Sequence, residues 1–138
     1  MKPLLSIVTI TYKDPDGLQS TIKSLEALQI ARASWEHVVI DSSLKENAEI
    51  IRSLPETWPV QHIPSPAKGI YSAINLGIES ASGVFLLLLH SGDRLHDIHA
   101  LMGFLEKLQG EPDLDIIFAG AALFRHGELL YVQPAAKT

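Results

Sequence analysis

The sequence predicts an α/β protein: a mostly parallel central sheet flanked by helices, with an antiparallel hairpin near the C-terminus. Three observations carry this expectation. Apolar or β-branched runs alternate with helical periodicities along the chain, in the order β-α-β-α-β-α-β-α-β-β. The run Val84-Phe85-Leu86-Leu87-Leu88-Leu89 is unbroken, as suits a central strand buried on both faces. It ends in a polar cluster, His90-Ser91-Gly92-Asp93, and open α/β sheets place ligands just beyond such strand ends.

Each element has its own signal. Leu4 to Thr11 is apolar and β-branched, a good central strand. Lys13-Asp14-Pro15-Asp16-Gly17 is turn chemistry, with Asp14 or Asp16 able to cap the next helix. That helix, roughly Gly17 to Leu28, sets Leu18, Ile22, Leu25 and Leu28 on one face. Trp35 to Asp41 reads as a second strand ending in an acid, and a helix from about Glu46 to Ser53 follows. Pro55 and Pro59 bracket a loop before a short strand, Val60 to Ile63, and Pro64-Ser65-Pro66 enforces an extended segment. Gly69 opens an amphipathic helix, and a second glycine closes it before the apolar strand. Asp97 to Leu108 is a further helix with Ile98, Leu101, Phe104, Leu105 and Leu108 inward, and Leu114 to Ala119 a further strand. Leu123–Arg125 and Leu129–Val132, joined across His126-Gly127-Glu128, form the hairpin.

The bulk numbers exclude several classes. A chain of 138 residues fits one domain with a sizeable core. A formal charge of −5 without a basic run argues against nucleic acid as a partner. The absence of cysteine rules out disulfides and thiolate metal sites, and fits a reducing compartment. The N-terminus reads as a first strand rather than a signal peptide, and no apolar run approaches the ~20 residues of a spanning helix. The expectation is a cytoplasmic protein, or one held at the inner face of a membrane, without a transmembrane segment.

Three strand ends carry polar groups: Thr11-Tyr12-Lys13, Asp41-Ser42-Ser43 and His90-Ser91-Gly92-Asp93. Right-handed crossovers between parallel strands bring all three to one edge. There a tyrosine can stack on a base, an aspartate can accept from base or ribose, and a second aspartate can hold a cation against a diphosphate. Each has a plainer role open to it. Asp41 and Asp93 could cap helices, Tyr12 could be a packed rim aromatic, and Lys68, which could meet phosphate at a helix start, could be a solvated lysine. The chain has neither a Walker sequence nor a GxGxxG fingerprint.

Four segments in order resemble the family-2 inverting glycosyltransferases of the GT-A fold: Leu5 to Tyr12, His37 to Ser43, Lys68 to Ile78, and Ala81-Ser82-Gly83 leading into Leu89 to Asp93. The nearest branch writes GIYDAMNKGI and later LNSGD. The resemblance implies a Rossmann-like GT-A domain in which Thr11, Tyr12 and Asp41 grip the nucleotide. Gly69, Tyr71 and Asn75 would line the diphosphate side, with Lys68, Ser91 and Gly92 also in the nucleotide site. Asp93 would bind Mg²⁺ or Mn²⁺.

The departures from the pattern are Lys13 for a common asparagine, Ser72 for an acid, and His90-Ser91-Gly92-Asp93 for a motif with more than one acid. The implied donor is a nucleotide-diphospho-sugar, UDP-linked, and the acceptor a saccharide or lipid-linked acceptor of polysaccharide biosynthesis. The family's acceptor-binding half and general base would lie beyond residue 138, so the chain reads as the donor-binding part, truncated before the acceptor region. No catalytic base is assigned: Asp113 and Asp115 flank a strand start at the wrong edge, and Glu128 sits in a turn. The alternative is a catalytically inactive sugar-nucleotide-binding or interaction domain that keeps the fold.

Overall fold

The computed structural model describes residues 2–43, 45–66, 68–111, 113–116 and 119–134. The chain divides into two compact units, Met1–Ile98 and His99–Thr138. In the first, β1 (Leu5–Thr11) lies inside a four-stranded parallel sheet of order β3-β2-β1-β4, with β2 (Trp35–Asp41), β3 (Val60–Pro64) and β4 (Phe85–Leu88). The register pairs Thr11 with Asp41 and Asp41 with Pro64, so the carboxyl ends of β1, β2 and β3 are level. Nearly every residue of β1 and β2 is buried, as their β-branched and apolar composition predicts.

Helix α1 (Pro15–Ile30) begins earlier than the periodicity suggested, because Pro15 suits the first helical turn, where its missing N–H is not needed. Asp14 is the cap: its Oδ1 accepts the Gly17 amide at 3.1 Å. Leu18, Ile22, Leu25 and Leu28 are buried, as expected. Helix α2 (Ala48–Arg52) is short, and α3 runs Ile70–Ser80. Gly77 lies within α3. Ala73 and Gly77 are its buried residues, and Ala73 packs with Val8, Val38 and Ile40. A Cβ on Gly77 would overlap Val8 Cγ1, so the glycine sets how closely helix and sheet approach.

One expectation needs correction. Among the described residues, the apolar run ending at Leu89 is not a central strand covered on both faces. Among the described residues β4 pairs only with β1; Leu86 and Leu88 are 45% and 40% exposed, and Val84 is exposed as well. Phe85 and Leu87, on the other face, are half-buried. An unbroken apolar run fixes strand character, but it cannot say how many layers cover the strand.

Opposite the carboxyl ends, the Ala81-Ser82-Gly83 segment anchors the entry to β4. Glu36 Oε1 accepts the Ser6 hydroxyl at 2.6 Å, the Ser82 amide at 2.6 Å and the Ser82 hydroxyl at 3.0 Å. Desolvation would raise the Glu36 carboxyl, but these donors together outweigh it and hold the group below its ordinary range.

In the second unit, α4 (Ile98–Gly110) buries Leu101 and Leu105, two of the five inward positions expected. Strands β5 (Ala121–Arg125) and β6 (Glu128–Gln133) form the antiparallel hairpin. Its two-residue turn has His126 and Gly127 both at positive φ, the geometry that matches strand twist in tight hairpins. The strand expected over Leu114 to Ala119 lies partly outside the described residues, and its described residues are not in a strand.

Candidate functional site

Strands β2 and β3 add successively to one side of β1, and β4 returns to the other side. The order of the sheet therefore reverses between β1 and β4, and ligands of open α/β sheets bind in the crevice at such a point. An open cleft of about 510 Å³ lies there, lined by Ile10, Tyr12, Asp14, Ser42, Gly69, Ile70, Ala73, His90 and Ser91. It collects residues from beyond β1, β2 and β4 and from the start of α3.

Two features make the cleft suited to a polar, anionic ligand beside an aromatic ring. Gly69, at φ +94°, turns the chain into α3 and offers no capping side chain. The first amides of α3 thus meet the cleft without a side-chain cap, with the positive end of the helix dipole behind them. Tyr12 is 55% exposed at the rim, with Lys13 Nζ 5.4 Å from its ring centroid. Across the floor, the Ser91 hydroxyl donates to Asp14 Oδ2 at 3.0 Å.

The structure distributes the expected residues unevenly. Tyr12, Gly69 and Ser91 line the cleft, and Gly92 is next to it, at φ +96°. Thr11 and Asp41 reach the same edge but are buried, and neither is in the cleft's described lining. Both oxygens of Asp41 are occupied: Oδ1 accepts the Ser43 amide (2.9 Å) and Asn47 Nδ2 (3.2 Å), and Oδ2 pairs with His62 Nε2 (2.9 Å). Lys68 and Asn75 line a separate groove of about 570 Å³ with Ser65, Pro66, Ser72, Leu76 and Glu79. Tyr71 is strongly exposed on α3. Asp93 is exposed near the cleft; its Oδ2 accepts the His90 amide at 3.2 Å, and its carbonyl accepts the Thr21 hydroxyl at 2.6 Å.

Among the described residues no group of three or more His, Asp or Glu could hold a metal ion. The side chains therefore supply no closed cage, and Asp93 is an exposed carboxylate at the edge of the site. A hard cation that keeps several waters and takes ligand phosphates needs no more from the protein than one or two carboxylates. The residues fit such an ion and would not fit a structural zinc.

The family model described as glycosyl transferase family 2 matches residues 6–129. The chain belongs to glycosyl transferase family 2. Two curated relatives are uncharacterized glycosyltransferases from two strains of Mycobacterium tuberculosis, CDC 1551 and H37Rv. Each is 38% identical over 109 residues, covering 79% of this chain and 41% of the relative. The chain thus matches less than half the length of these curated relatives.

Solved structures share the architecture. Staphylococcus aureus TarS, residues 1–349, superposes with a TM-score of 0.66 at 19% identity over 79% of this chain and 33% of that one. The mannosyltransferase PcManGT from Pyrobaculum calidifontis, in complex with GDP-Man and Mn²⁺, gives 0.68 at 18% identity over 91% of this chain and 36% of that one. At these identities the likeness carries the fold, a GT-A α/β domain. No helix among the described residues is long and apolar enough to cross a membrane.

Two residues at or beside this cleft are not singled out by sequence reasoning for the parts they play. Asp14 reads as a helix cap, and it is one, but its contact with Ser91 spans 77 positions and leaves no local signal. Asn47 reads as an ordinary residue at the start of α2, yet it is fully buried beneath the site.

Proposed function

We propose that this chain is the donor-binding portion of a family-2 glycosyltransferase. It binds a nucleotide-diphospho-sugar, UDP-linked, for inverting transfer to a saccharide or lipid-linked acceptor. The observation that carries the reading is the cleft at the β1/β4 switch point, lined by Tyr12 and by the uncapped start of α3. Tyr12 offers a ring for the base, and the amides after Gly69 offer donors for the diphosphate. Ser91 and Gly92 close the phosphate side from β4. Thr11 and Asp41 contribute from behind, by holding the strand ends. Lys68, Tyr71 and Asn75 serve the outer side of α3, where a longer donor or the acceptor could reach them.

Asp93 is the residue to hold Mg²⁺ or Mn²⁺ in company with the diphosphate oxygens; PcManGT, of the same fold, is in complex with Mn²⁺. When bound, such an ion stabilises the negative charge that develops on the departing diphosphate. The protein's own contribution is to orient the donor and exclude water around the anomeric carbon. Inverting transfer also needs a base for the acceptor hydroxyl. Asp14 is the one carboxylate in the cleft's described lining, and it is committed to the α1 cap and to Ser91. That commitment favours, as a second reading, a domain that binds sugar nucleotide without turning it over unaided. Placement in the cytoplasm, or at the inner face of a membrane, follows from the donor class proposed.

Thermal unfolding with UDP, GDP and their sugar conjugates, each with and without Mn²⁺, tests the proposal. A ligand that binds only the folded state raises the melting temperature by mass action. UDP with Mn²⁺ is expected to give the largest shift among the free diphosphates. No shift with any of them at millimolar concentration would overturn the reading.

A further inference from the structure

Asn47 stands at the N-cap position of α2 but makes no capping hydrogen bond. Its side chain turns inward, and Asn47 is 0% exposed. Nδ2 lies 3.1 Å from Thr11 Oγ1, 3.2 Å from Asp41 Oδ1 and 3.2 Å from Ser43 Oγ. One amide group therefore ties the end of β1 to the end of β2 and to Ser43, two residues beyond it. The opposite amide orientation would set Oδ1 against the Asp41 carboxylate, so the amino group must face this cluster.

The cluster fixes the backbone on both sides of two cleft-lining residues. Tyr12 has Thr11 before it, bonded to Asn47, and Lys13 after it. The Lys13 amide donates to Ser43 Oγ at 2.6 Å, and Lys13 holds φ +47°, a left-handed conformation that a non-glycine residue rarely adopts unaided. Ser42 lies between Asp41 and Ser43, both bonded to Asn47. The Ser42 amide itself donates to the Thr11 carbonyl at 3.0 Å. Asn47 also keeps an unmatched acceptor: Oδ1 is buried with no partner among the described residues. An asparagine that forgoes its cap and leaves an acceptor buried is costly for the fold alone. Its return is a rigid pair of strand ends.

We propose that Asn47 is a positioning residue for the donor site, clamping the β1 and β2 ends so that Tyr12 and Ser42 are presented to the cleft. It touches no ligand; it acts through Thr11, Asp41 and Ser43. The inference rests on the nucleotide-binding reading of the cleft, and two measurements separate the two claims.

The first needs no ligand. Amide hydrogen exchange on Asn47→Ala and on Ser43→Ala should show protection lost at Lys13 and Ser42, while Ile7 and Val39 in the strand interiors keep theirs. Ser43→Ala removes the Lys13 acceptor without emptying the buried Asn47 position, so the test stands if Asn47→Ala folds poorly. Unchanged protection at Lys13 in a folded Ser43→Ala protein would overturn the clamp. The second is a double-mutant cycle on UDP affinity, with Mn²⁺, by calorimetry. Asn47→Ala should weaken UDP about tenfold in the parent and have little further effect once Tyr12 is alanine, as coupled residues behave. Equal losses on both backgrounds would show a purely structural role and overturn the positioning claim. If the parent binds neither UDP nor GDP, the nucleotide reading fails and Asn47's role in donor binding fails with it, while the exchange result still reports on the clamp.

Discussion

The Ser91 hydroxyl donates to Asp14 Oδ2 at 3.0 Å, joining the loops that leave β4 and β1 on the two sides of the topological switch. Asp14 Oδ1 meanwhile accepts the Gly17 amide that starts α1. One carboxylate thus caps a helix and braces the floor of the cleft. Asp14→Ala removes both bonds and is expected to cost about 1–2 kcal/mol of stability. Asp14→Asn keeps an acceptor for the cap and should recover much of that loss. Urea unfolding followed by tryptophan fluorescence checks the pair; equal destabilisation by both would contradict the capping role.

Stability should fall in mild acid because of His37. This imidazole is fully buried on β2 beside Trp35 and Trp58, and burial pushes its pKa down from 6.5 to about 4. Trp58 Nε1–H donates to Nδ1 at 3.3 Å, so the proton sits on Nε2, which meets Thr9 Oγ1 at 2.8 Å. The unfolded chain takes up a proton near pH 6.5 that the folded protein refuses until about pH 4. The stabilisation is complete above pH 6.5, is lost as the pH falls toward 4, and amounts to about 3 kcal/mol. A urea midpoint that stays level between pH 6.5 and 5, above the main carboxylate range, would contradict this.

Replacing Gly77 by alanine should destabilise the protein although it lies inside a helix. Alanine is favoured over glycine there by about 1 kcal/mol of intrinsic propensity. Against that, the new Cβ would overlap Val8 in the tightest part of the α3–sheet contact. Overpacking costs about 1–3 kcal/mol, so a net loss of up to about 2 kcal/mol is expected on thermal unfolding. A raised melting temperature would show that α3 can lift off the sheet freely.

Much of this was legible in the sequence, and the failures share a cause. The β-branched runs of β1 and β2, the periodicity of α1 and the His126-Gly127 turn each carry a local signal, and each formed as expected. The burial of Val84 to Leu89 did not, because covering layers are a tertiary property. Of the residues that the family resemblance implies for the site, Tyr12, Gly69 and Ser91 line the cleft. Thr11 and Asp41 were placed at the right edge, but the alternation of side chains along β1 and β2 leaves them buried and out of the lining. His90, in the polar cluster after β4, also lines the cleft. Asn47 carries no local signal, because its contacts to Thr11, Asp41 and Ser43 are made by folding and not by helix periodicity.

The donor and the metal should separate in mutants. Tyr12→Ala is expected to weaken UDP about tenfold or more with or without Mn²⁺, on the scale of a lost base–aromatic stack. Asp93→Ala should leave metal-free UDP binding in place and remove its enhancement by Mn²⁺. Calorimetric titrations in Mn²⁺ and in chelator distinguish the two. Metal enhancement surviving in Asp93→Ala would assign the cation to another group.

The central claim is that the nucleotide-diphosphate binds at the β1/β4 switch point. Backbone amide NMR during titration with UDP, first with Mg²⁺ and then with trace Mn²⁺ as a relaxation probe, tests it most directly. The account predicts shifts at Tyr12, Ser42, Gly69, Ile70, Ser91 and Gly92, with the strongest Mn²⁺ broadening around Asp93. Shifts confined to the opposite edge, around Ser82 and Gly83, or no shifts at saturating UDP, would contradict it.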